Sequence, residues 1–413
     1  MRIENIHLKN VGVFEDEKID FQIIEVKNKA EIHIFTGENG SGKSTLLYAL
    51  ADFFEYPKFL HDRFRINGEN PPKGQVKLKH SLGTATLTQQ TDKQHIGLTG
   101  DKTHFDFFDN LYSDLDIPQH CLLFAYSGVR SLSSQNISSI EEISEDPFTN
   151  ILDFQKSVNS TTLLQWVVNN KAKASLSDNG KYSQNIQLIE NIIEEIIGKS
   201  IQFVLEIEPT FHLRVRMDGI LLPINVLPDG LKSIISWIAD LIMRMDRIPW
   251  AYNTPILDRN FILFLDEIDI HLHPSWQRKI LPVVQKMFKY AQIFVSTHSP
   301  FVVNSIDDAW VYQLKVENGN TKVTQVFRSE TGNSYSAVLQ EIFEVHKRFG
   351  EETEEDLAAF QELRNKILKN EVIDEKKFNQ LAHKLIGESQ EVSNIIGREL
   401  RQIKRITNKE FAV

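Results

Sequence analysis

The chain has 413 residues with 25% charged side chains, a size that accommodates one large or two to three ordinary domains and a composition of the globular kind. Its formal net charge of −10 argues against a protein that coats nucleic acid and leaves room only for a local basic patch. Cys121 is the single cysteine, which excludes an internal disulfide and a cysteine-based zinc cluster.

The opening MRIENIHLKN lacks the apolar stretch of a signal peptide. No apolar run reaches the roughly 18 residues of a membrane span, so a reducing cytoplasm and no membrane are expected. Residues 2–21 alternate apolar and polar. Ile3, Ile6 and Leu8 share one face, and Phe14, Ile19 and Phe21 follow a turn around Gly12. This predicts an antiparallel pair feeding a strand at 32–35. A helix is expected over 43–56, then small strands within 61–110, as in GQVKLKHSLGTATLTQ. LLFAYS at 122–127 reads as a buried strand, and NIQLIENIIEEIIGKS as an amphipathic helix within the mixed segment 139–200. Short strands are expected near 201–207 and 211–216. A helix follows just after Asp229, a strand at 261–265, a helix over 274–290 and the strand QIFVST. From about 333 the tail reads as helical and charged, with EETEED and RELRQIKR as solvated faces.

Three stretches carry chemistry. In IHIFTGENGSGKSTLLYAL, Gly37, Gly42, Lys43 and Ser44 fit G-x-x-x-x-G-K-[ST] between a strand and a helix. Glycines let the backbone wrap a phosphate, and the helix start adds the positive end of its dipole. The nucleotide-binding set is Gly37, Asn39, Gly40, Ser41, Gly42, Lys43, Ser44 and Thr45. Lys43 is placed to bridge β- and γ-phosphates of ATP, and the Ser44 hydroxyl to ligate Mg²⁺. FILFLDEIDIHLHP ends an apolar strand in two carboxylates. Asp266 is expected on the metal side, and Glu267 as the base for the attacking water. IFVSTHSPF ends another strand at Thr297 and His298, where a histidine is either a γ-phosphate donor or a structural residue. His271 and His273 show no third ligand for a tetrahedral zinc site.

The order of these stretches resembles the ABC-type ATPase heads of the SMC, Rad50 and RecF group. MRIENIHLKNVGVFEDEKIDF is similar to that group's N-terminal strand pair. LDEIDIHLHPSWQRKILPVV and STHSPFVV resemble small stand-alone ATPases of bacterial defence systems, of the Septu and retron-associated kinds. The resemblance covers about 1–60 and 220–310. It implies an α/β P-loop head with an N-terminal antiparallel β subdomain, a mixed sheet, a helical insertion and a helical C-terminal tail. Residues 1–60 and 220–330 would form the head, 61–219 the insertion, and 331–413 an oligomerisation or effector-docking region. It also implies a signature helix that reaches the partner's ATP, here VLPDGLKSIISWIADLI with Asp229, Gly230 and Lys232. Pro228 stands where the group usually has serine, so slow turnover is expected, and an ordinary Pro-Asp-Gly turn is the alternative. A carboxylate placed at position 230 should oppose the partner's phosphate. In place of the group's metal-touching glutamine the chain offers Tyr126, Ser127 and Arg130.

The space between Lys43 and Gly230 is too short for long coiled-coil arms. The chain also lacks both an acidic nuclease cluster after His298 and an HNH-like set. The output is therefore expected through another molecule. The leading expectation is a defence ATPase, slow in turnover, that assembles into a homodimer or higher homo-oligomer through sandwiched ATP. That assembly would control an effector such as an HNH-type nuclease. A RecF-like repair ATPase that binds DNA, through the basic stretch around Arg63, Arg65, Lys73 and Lys77, is the second. A transporter subunit is the third, weakened by the missing L-S-G-G-Q motif.

Overall fold

The computed structural model describes residues 1–23, 28–54, 73–80, 83–92, 95–99, 119–129, 132–133, 137, 139–176, 180–206, 211–408 and 411. They divide into two compact units, Met1–Val338 and Leu339–Val413.

The first unit opens with an antiparallel hairpin of β1 (Arg2–Val11) and β2 (Phe14–Asp20). The chain then enters β3 (Glu31–Gly37) and α1 (Lys43–Asp52). Three further strands follow, β4 (Lys73–His80), β5 (Gly83–Asp92) and β6 (His95–Thr99), and β4 pairs antiparallel with β1. Among the described residues this makes a five-stranded sheet in the order β2-β1-β4-β5-β6. The small strands foreseen in the insertion thus extend the N-terminal sheet, which runs across the expected division at residue 60.

β7 (Leu122–Tyr126) is buried throughout. The helices α2 (Ser160–Leu176) and α3 (Lys181–Ile197) come next, then an antiparallel three-stranded sheet of β8 (Ile201–Glu206), β9 (His212–Met217) and β10 (Ile220–Pro223). α4 (Asp229–Arg247) is buried along almost its whole length. β11 (Phe261–Leu265), α5 (Pro274–Met287), β12 (Gln292–Ser296) and the single turn α6 (Pro300–Val303) lead to the hairpin β13 (Trp310–Glu317) and β14 (Asn320–Arg328).

The central sheet runs β14-β13-β3-β12-β11-β7, all parallel except β14. Parallel strands covered on both faces read as unbroken apolar runs, as FILFL and LLFAY do. The Cys121 thiol lies at the start of β7, where burial pushes its pKa up. A polar joint ties β1 to this sheet. Arg2 donates to both Glu31 oxygens, at 2.9 and 2.7 Å, and Glu31 also pairs with the fully buried His33 at 2.7 Å.

Past α7 (Tyr335–Glu341), the second unit consists of α8 (Glu351–Leu368), α9 (Glu375–Glu388) and α10 (Gln390–Thr407). Its own core includes Leu357, Phe360, Phe378, Leu385, Ile396 and Ile403. Among the described residues no helix is long and apolar enough to cross a membrane.

Candidate functional site

The site lies where β3, β7, β11 and β12 end side by side. β3 ends at Gly37, whose φ is 147° and whose absent side chain matters, because a Cβ there would meet the Leu314 carbonyl oxygen at 2.1 Å. Asn39 and Gly40 are exposed at the loop crest and Ser41 is buried beneath it. Gly42 turns left-handed (φ 86°) into α1 and gives it no side-chain cap. A Cβ at Gly42 would collide with Val13 at 2.5 Å, so the β1–β2 hairpin tip presses on the loop from behind.

Lys43 is only 5% exposed. Its ammonium donates to the carbonyls of Gly37 at 3.0 Å and Glu38 at 2.8 Å. Burial pulls its pKa down to about 8, against the pull of Asp266, Glu267 and Asp269. The Ser44 hydroxyl donates to Asp266 Oδ1 at 3.0 Å. A hydroxyl beside a carboxylate is the hard-oxygen pair that suits Mg²⁺, with phosphate and water completing the shell. The Ser296 hydroxyl donates to the same Asp266 oxygen at 2.5 Å and accepts the Glu267 N–H at 2.8 Å. Glu267 itself has φ 47°, a turned backbone directly after Asp266.

His298 is half-buried. Burial first, then the charge of Lys43, lowers its pKa and keeps the imidazole neutral. Its neighbours fasten the loop after Glu267. Thr297 Oγ1 donates to Asp269 at 2.5 Å, and Ser299 Oγ to Gln277 at 2.6 Å. Gln277 in turn donates to the carbonyls of Asp269 and Leu272. His273 is the N-cap of α5, its Nδ1 accepting from Ser275 N at 3.2 Å, which gives that ring a structural task.

The expected signature residues lie at the start of α4. Pro228 and Asp229 are exposed at the start of α4, whereas Gly230 is buried, and a Cβ there would meet the His271 carbonyl oxygen at 2.3 Å. That glycine is required by packing within the chain, so a carboxylate at 230 would first break this packing. Lys232 is paired with Asp229 at 3.0 Å. Tyr126 faces inward and donates to Asp240 at 2.8 Å. Ser127 donates to the Val129 carbonyl at 3.2 Å. Arg130, Arg63 and Arg65 lie outside the described residues.

Sequence reasoning missed Ser296 and Gln277. Ser296 did leave a trace, as a lone hydroxyl closing an apolar strand.

The sequence profile of one family, described as "AAA domain, putative AbiEii toxin, Type IV TA system", matches residues 32–304. The chain is 24% identical to the retron Ec83 probable ATPase of Escherichia coli, over 84% of this chain and 77% of that protein. It is 22% identical to the Septu protein PtuA of Bacillus thuringiensis, over 73% of each. Among solved structures, an SMC head bound to the C-winged helix domain of ScpA superposes with a TM-score of 0.50 at 12% identity. That match covers 80% of this chain and 98% of that one, and the fold is that of an SMC-like ABC ATPase head.

Proposed function

The chain belongs to this AAA-domain family, and from that premise we propose that it is an ATPase of bacterial antiviral defence whose ATP-dependent assembly controls a partner effector. The observation that carries the catalytic half is the junction of Ser44 and Asp266 at the mouth of a phosphate loop with Lys43 buried beneath it. In this reading Lys43 exchanges its two carbonyl partners for the terminal phosphates, and Ser44 and Asp266 hold Mg²⁺. When bound, the metal neutralises charge on those phosphates. Glu267 accepts the proton of the attacking water, and neutral His298 donates to the γ-phosphate. Asp229, exposed at the start of α4, and Lys232, paired to it, face the partner's nucleotide.

The defence role rests on relatives that carry the retron and Septu names. The effector, of which an HNH-type nuclease is one candidate, would dock on the C-terminal helices. Direct DNA binding is less favoured, because Lys77 is paired with Glu4, Lys9 with Asp16 and Lys18 with Asp20.

Two variants test the catalytic half. Lys43→Ala should abolish measurable ATP binding in a calorimetric titration, and unchanged affinity would overturn the assignment. Glu267→Gln should bind ATP as the parent does and release phosphate about 10²–10⁴ times more slowly. Equal rates would remove Glu267 from the role of base.

A further inference from the structure

Glu267 is held at two points that none of the assigned site residues provides. Its backbone N–H is bound by the Ser296 hydroxyl at 2.8 Å, and that hydroxyl is simultaneously engaged with Asp266 Oδ1 at 2.5 Å. Ser296 is fully buried at the last position of β12. It therefore ties the carboxylate on the metal side to the backbone of the residue on the water side. The second point is Gly128, two residues beyond β7 and buried. A Cβ on Gly128 would lie 2.5 Å from Glu267 Oε2 and 2.7 Å from Glu267 Cβ. The Glu267 side chain thus occupies the space that this glycine leaves, and any larger residue would have to expel it.

We propose that Ser296 and Gly128 are the positioning residues of Glu267, the first fixing its backbone in register with Asp266 and the second reserving the place of its carboxylate. The proposal rests on Glu267 being the base. A general base must stay within hydrogen-bond reach of the water it deprotonates, so small displacements cost rate far more than they cost binding. Neither residue is hydrogen-bonded to the phosphate loop's Lys43, and Asp266 has the Ser44 hydroxyl as a second partner besides Ser296. The two devices also differ physically. Ser296 acts through hydrogen bonds, one of them to a charged group, and Gly128 acts through excluded volume alone. No left-handed backbone requirement accompanies Gly128, so alanine there is penalised only by what its methyl meets.

The experiment uses the full chain with Mg-ATP and compares Glu267→Gln with Ser296→Ala, Ser296→Thr and Gly128→Ala, each of these three alone and with Glu267→Gln added. Nucleotide affinity is read with a fluorescent ATP analogue and turnover by single-turnover phosphate release. Ser296→Ala and Gly128→Ala should each slow turnover by about ten- to a hundredfold while analogue affinity stays within about threefold. Ser296→Thr, which keeps the hydroxyl, should recover most of the rate. In the Glu267→Gln background neither change should slow turnover further, since there is no base left to misplace. Losses that multiply in the double variants, or equal losses of affinity and rate, would overturn the proposal and assign both positions to the fold. If Ser296→Ala does not fold, Gly128→Ala alone decides by the same criterion. Should Glu267→Gln itself leave turnover intact, the role of Glu267 falls and this inference with it. A slowed Glu267→Gln beside an unaffected Gly128→Ala would sink the inference alone.

Discussion

Lys43 sits in a compromise. Its ammonium is desolvated, satisfied by two carbonyls and drawn toward three carboxylates, with a pKa of about 8. Anionic phosphates favour its charged form, so ATP binding should raise that pKa. Below pH 8 the lysine already carries its proton, and affinity should be flat. Above pH 8 binding must first take up a proton, so affinity should fall, reaching about tenfold weaker at pH 9 than at pH 7. Titrations at pH 9 in buffers of different ionisation heat should differ by nearly one proton taken up, whereas those at pH 7 should not. Absence of uptake at pH 9 would mean that the lysine is charged throughout. The residues carrying this argument were legible, since glycine, lysine and serine at fixed spacing serve one geometry. Ser296 and Gly128 were not, because a hydroxyl in an apolar strand or a glycine after one acquires meaning only from what lies across the sheet.

α4 was legible as an element, since a Pro-Asp-Gly turn precedes a long apolar-periodic run. Its start invited a reading centred on Gly230, yet that glycine accommodates the His271 carbonyl. The better probe of a contact between copies is Lys232→Glu, which reverses a charge beside the exposed Asp229 in the first turn of the helix. In the Glu267→Gln background it should weaken Mg-ATP-driven association by about tenfold or more in light scattering, while ATP affinity holds. Gly230→Asp should instead lower the unfolding midpoint. Further along the same helix, Asp240 is fully buried, accepting from Tyr126 at 2.8 Å and from Arg244 at 2.7 Å. Arg244 also holds the carbonyls of Pro147, Thr149 and Ser157. Asp240→Ala leaves a buried guanidinium without its countercharge and should destabilise the protein by about 3–5 kcal/mol in urea titration. Strand existence was also easier to read than strand pairing. The alternation over 73–92 marks strands, but nothing local says that β4 joins β1 some seventy residues away. The hairpin β13–β14 passed unnoticed because its edge strand is polar on both faces for most of its length.

Across the whole molecule, the division after Val338 separates two cores that make different demands. The phosphate site draws all its residues from the first unit, and the second is closed around Phe360, Phe378 and Ile396. A chain ending at Val338 should therefore bind ATP with the affinity of the full chain while losing higher assembly or effector capture. Calorimetry beside light scattering separates the two outcomes, and loss of ATP binding would show that the helices support the head. The burial of Cys121 makes such experiments unusually direct to follow. The residue is 3% exposed, and burial pushes its pKa up and keeps the thiol out of reach of electrophiles. Val372, by contrast, is 100% exposed in the helical unit. A Val372→Cys chain should take up a single maleimide dye there with the native thiol left in place. Donor- and acceptor-labelled copies could then report, by energy transfer and in real time, whether ATP brings copies together and whether its hydrolysis parts them.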